Sequence, residues 1–63
     1  MKNFKKIYLD TILYLIWRNA ILKYDLKEIL FLYGSCNISK SIANEIYENN
    51  KTIKNLKKHL KNI

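Results

Sequence analysis

The apolar positions of this chain fall into two regimes. From Phe4 to Tyr24 they are dense, and residues such as Ile7, Leu9, Ile12, Leu13, Ile16, Trp17 and Ile21 spread over nearly the whole circumference of a 3.6-residue wheel. The length of this pattern predicts a helix over residues 3–24, against the rival of a buried strand over the short run Ile12 to Trp17. A helix that is apolar all round is buried all round. A chain of 63 residues cannot surround a helix of ~33 Å by itself. Residues 1–24 are therefore expected to pack on their own domain with one face and on a second chain with another. The candidate homodimer contacts are Tyr8, Ile12, Leu15, Ile16 and Trp17.

After Tyr24 the stripes narrow and polar interruptions appear. Asp25 is placed to cap a short helix over residues 26–33, and Gly34 to close it in a left-handed conformation. The tetrapeptide Gly34-Ser35-Cys36-Asn37 reads as a loop. Asn37 or Ser39 can cap a third helix to about Tyr47, with a stripe of Ile42, Ala43, Ile46 and Tyr47. Glu48, Asn49 and Asn50 break that pattern. Asn49 or Asn50 can then cap a fourth helix to about Asn62, whose stripe is Ile53, Leu56, Leu60 and Ile63. The expected fold is all-α: a single small domain of about four helices, residues 1–24 dimerising and residues 26–63 forming a helix-turn-helix region.

Composition supports this outline. There is no proline, and Gly34 is the sole glycine, so the regular turns of hairpin or sandwich folds are missing. One cysteine, Cys36, and one histidine, His59, permit no internal disulfide and no Cys/His metal cluster. A domain this small rarely draws more than ~3–5 kcal/mol from its core. With 49% apolar residues, a partner chain is the remaining source of burial. No group of nucleophile, base and orienting residue can be assembled, so neither catalysis nor a metal or cofactor is expected. Glu45 and Glu48 form one helical i, i+3 pair of the kind found in carboxylate metal sites, but no His motif partners it. The tyrosines and Trp17 lie mostly within apolar stretches, which favours packing over base stacking. No basic residue adjoins Cys36, so its thiol is expected to be ordinary.

Charge changes the picture more. The chain carries +7, divided into +4 over residues 1–24, −2 over 25–49 and +5 over 50–63, where five lysines face no acid. Such a segment suits a polyanion. The opening MKNFKK resembles the start of a secretion signal, but Asp10 and Arg18 interrupt the apolar stretch and no cleavage site follows. A lone thiol then points to a reducing cytoplasm. The longest uncharged run in the N-terminal stretch, Thr11 to Trp17, is far short of a membrane span.

Two short amphipathic helices joined by a three-residue break, the second basic, make the pattern of a helix-turn-helix, whose second helix enters the major groove. Its outer face would present Asn50, Lys51, Thr52, Lys54, Asn55, Lys58 and Lys61 to double-stranded DNA: lysines to phosphates, Asn to adenine. Over residues 42–63 the chain resembles the DNA-binding motif of the LuxR-type (GerE-type) regulators. Ile42-Ala43, Ile46-Tyr47 and Lys51-Thr52-Ile53-Lys54-Asn55 match that family's Ile-Ala, Leu-Phe and Lys-Thr-Val-Lys-Asn. Glu48 stands where the family has an aliphatic turn residue, and Leu56 where it has His. The resemblance implies a small transcriptional regulator, of phage or plasmid type, acting as a homodimer on DNA. Similar patterns occur in sigma-factor region 4 and MarR-like domains. Two other readings remain: an inhibitor or adaptor docking on a protein through the apolar N-terminal helix, and a basic membrane-active peptide.

Overall fold

The computed structural model describes residues 4–62, so Ile63 and the start of the expected first helix lie outside them. Two helices account for almost all of these residues: α1 (Phe4–Tyr33) and α2 (Asn37–Lys61). They fold back on each other as an antiparallel hairpin, a rod with extents of 49 × 14 × 13 Å. Its radius of gyration, 14.6 Å, exceeds the about 11 Å of a compact domain of this length.

The expectation of four helices with a helix-turn-helix is thereby corrected. Asp25 lies inside α1, and Glu48, Asn49 and Asn50 lie inside α2. The reason is energetic. Asp and Asn cost only ~0.7 kcal/mol each in a helix interior, and neither neighbourhood contains Gly or Pro. Continuous packing along the partner helix outweighs that cost.

The packing follows one rule. Along α1 the inward positions are Tyr8, Ile12, Leu15, Asn19, Leu22, Leu26 and Ile29, separated by four and three residues in alternation. Along α2 they are Ser39, Ile42, Ile46, Asn49, Ile53, Leu56 and Leu60, separated by three and four. This is the 3.5-residue repeat of a coiled coil. Ile12, Leu22 and Ile53 are the buried apolar residues; the rest of each seam is half-buried apart from Asn19 and Ser39, which are buried.

Register is set by a polar layer at mid-rod. Asn49 Nδ2 donates to Asn19 Oδ1 at 2.9 Å, and Asn19 Nδ2 donates to Asn50 Oδ1 at 2.9 Å. With Asn19 level with Asn49, antiparallel geometry brings Leu22 level with Ile46 and Leu15 level with Ile53. The rings of Tyr8 and His59, 6.2 Å apart near the open end, agree with this alignment. Arg18 Nε donates to Glu45 Oε2 at 3.1 Å beside the seam. That pair is substantially exposed; such pairs are worth ~0–1 kcal/mol and act mainly on alignment.

The turn is built from local chemistry. Gly34 has φ of 69°, and its N–H donates to the carbonyl of Leu30 at 2.9 Å, closing α1 as anticipated. Cys36 precedes α2 in an extended conformation. Ser39 Oγ accepts from the Cys36 N–H at 2.8 Å and donates to the Cys36 carbonyl at 2.9 Å. Ser39 thus caps the helix from its third position, while Asn37 is simply the first helical residue.

Candidate association surface

The two helices differ in what they leave outside. The outermost row of α2 is Lys40, Asn44, Tyr47, Lys51, Lys54, Lys58 and Lys61, again at alternating steps of four and three. It is polar except for Tyr47. The hairpin takes up Ile42, Ile46, Ile53, Leu56 and Leu60 of α2 and leaves Ile38 and Tyr47 exposed. In α1 it takes up only Tyr8, Ile12, Leu15, Ile21, Leu22, Leu26 and Ile29, and most of what is apolar stays exposed. On the face of α1 turned away from α2, Leu13, Trp17, Tyr24 and Phe31 are 64%, 58%, 74% and 87% exposed. Tyr14 joins them, its ring 5.9 Å from that of Trp17. Trp17, Tyr24 and Phe31 are spaced by seven residues, so they form one straight aromatic column in the frame of the rod.

The residues singled out from the sequence divide accordingly. Tyr8, Ile12 and Leu15 point into the hairpin, Ile12 being 5% exposed; Ile16 is half-exposed at the edge of the seam, in a hollow it shares with Asn50 and Ile53, and Trp17 faces outward. Lys51, Lys54, Lys58 and Lys61 share the outer row of α2, with Asn55 beside it. Asn50 is exposed yet accepts the hydrogen bond from Asn19, and Thr52 Oγ1 donates to the Glu48 carbonyl at 3.0 Å. The turn that would separate a bracing helix from a reading helix is replaced by continuous α2. Leu13, Tyr24 and Phe31 had been read only as members of a helix apolar all round or of a second short helix. Their spacing from Trp17, by four, seven and fourteen residues, is the signal that groups them.

Three further groups have structural partners. Glu45 is held by Arg18, and His59 lies against Tyr8. Cys36 departs from expectation: its thiol is lowered from the usual range, first by the Ser39 backbone N–H that donates to its sulfur and then by the Ser39 hydroxyl. The main cause is its place at a helix start, with a smaller contribution from Lys40.

Among the described residues no helix is long and apolar enough to cross a membrane. Comparison with family models, with curated proteins and with solved structures finds no match for this chain.

Proposed function

We propose that this chain is a non-catalytic association module, a two-helix rod that works by docking the outer face of α1 on a protein surface. The observation that carries this reading is the aromatic column Trp17, Tyr24 and Phe31, with Leu13, exposed on a helix already packed on its opposite side. Contiguous apolar surface of this kind marks interaction sites in folded proteins. Trp and Tyr are also the residues most enriched among those that dominate binding energy, at ~2 kcal/mol or more each. Trp17→Lys should abolish association while leaving the helix content and thermal unfolding of the monomer unchanged. The check is co-purification from the native cells with tagged parent and variant, alongside measurement of self-association. If no contact of either kind depends on Trp17, the reading is wrong.

A second reading, binding of double-stranded DNA by a small regulator, is supported by the lysine row of α2. Among the described residues none of Lys51, Lys54, Lys58 and Lys61 has a carboxylate within ion-pair distance. Four phosphate contacts would give a log–log salt slope of roughly −3.6, and Lys54→Ala would reduce its steepness by about 1. Fluorescence anisotropy on a random duplex at two salt concentrations measures both. Affinity that is flat in salt would remove this reading.

A further inference from the structure

We propose that the outer face of α1 pairs with the same face of a second copy of this chain, the two α1 helices running antiparallel over their full length; this rests on the reading of that face as an association surface. The first support is periodicity. The outer seam Asp10, Leu13, Trp17, Ala20, Tyr24, Lys27 and Phe31 advances by three and four residues in alternation, the same repeat as the inner seam that holds α2. A face with that repeat is shaped for another helix.

The second support is what the seam meets when it is laid against itself. In an antiparallel pair of coiled-coil seams, the residue that begins a three-residue step lies level with one that ends such a step, as Asn19 and Asn49 do inside the hairpin. Applied to the outer seam, Asp10 lies level with Lys27 of the second copy, Leu13 with Tyr24, and Trp17 with Ala20. Opposite charges meet on either side of the central apolar stretch, the largest side chain meets the smallest near the centre, and Phe31 lies level with Lys6 of the second copy. A parallel pairing would set Asp10 on Asp10, Lys27 on Lys27 and Trp17 on Trp17. It has neither complementarity.

The third support is extent. In the antiparallel register the two-fold axis falls between Arg18 and Asn19, midway along α1 (Phe4–Tyr33), so no part of either helix overhangs. The surface also matches. The chain exposes 5392 Å², whereas a folded monomer of 7.6 kDa exposes about 4,300 Å². The excess comes from the rod shape, and it leaves room for the ~800 Å² that each partner buries in an ordinary stable interface. The pair is self-complementary and closed by its two-fold axis.

The experiment is sedimentation equilibrium on the full chain from micromolar to millimolar concentration, with the variants Asp10→Lys and Lys27→Asp. Both substitutions lie on the exposed face, and circular dichroism checks that the hairpin is retained. The parent should dimerise. Each variant alone places like charges level with each other at both Asp10–Lys27 positions and should weaken the dimer roughly tenfold or more. Mixing the two variants should restore parent affinity, because each then supplies the charge the other needs. Dimers indifferent to these substitutions, or variants that fail to recover on mixing, overturn the antiparallel register. A chain monomeric up to millimolar concentration overturns self-pairing altogether. If that monomer still retains a protein partner through Trp17, the association reading survives; if it retains none, both fall.

Discussion

Leu22→Ala should leave the chain largely unfolded when studied at concentrations where it is monomeric. Leu22 is 5% exposed and, among the described residues, is one of three buried apolar side chains, with Ile12 and Ile53. Truncating a buried Leu to Ala costs ~2–5 kcal/mol through lost apolar burial and the cavity left behind. The core of so small a chain supplies only ~3–5 kcal/mol in total, so the substitution removes most of the margin. The helices do not survive separately, because most helical stability in proteins comes from tertiary packing of a face rather than from intrinsic propensity. Far-ultraviolet circular dichroism and urea unfolding measure the effect. Leu13→Ala, on the outer face, is the control and should change monomer stability by no more than ~0.5 kcal/mol. Equal losses from the two substitutions would mean that the hairpin is not held by the inner seam.

Asn19→Leu should act differently: a modest change in stability and a large loss of uniqueness. The substitution removes both hydrogen bonds of the mid-rod layer and strands the half-buried Asn49, at ~1–3 kcal/mol. Leu partly offsets this by burying apolar surface where Asn19 was 5% exposed. Helix α1 then carries apolar stretches on opposite faces, and α2 has only the exposed Arg18–Glu45 pair and the Tyr8–His59 contact left with which to distinguish them. A single buried Asn is the best-attested device for fixing register and partner number in coiled coils. The variant should show broadened side-chain resonances and a mixture of assembly sizes in sedimentation. A single sharp species of parent size would mean that shape, not the Asn layer, selects the seam.

The difficulty of reading α1 from its sequence has the same origin. Apolar residues on all sides announce more apolar surface than one seam can bury, but they conceal the phase that assigns each residue to the packed face or the exposed one. Tyr8, Ile12 and Leu15 belong with Ile53, Leu56 and Leu60, and only α2 supplies that information. Asn49 and Asn50 misled for a related reason. Asn competes locally for backbone groups and so reads as a cap, whereas here its side chain is spent on a residue thirty positions away. The steps Ile46, Asn49, Ile53 continue the 3.5-residue repeat across the supposed break. Gly34 and the loop after it were legible because their demands are local: a positive φ and a cap need no distant partner. The basic outer row of α2 was likewise legible, since lysines at that spacing share a face on any straight helix.

The lysine edge has a colloidal consequence. Its charges recur about every 5 Å along α2, closer than the ~8 Å over which salt screens them, so they act together as a line of charge. Set against the aromatic edge of α1, that line gives each rod a sticky side and a repelling side. Two rods joined along α1 show basic edges to left and right. Under the proposed pairing a third rod would meet repulsion from either direction, which would oppose growth into a ribbon and hold assembly at the pair.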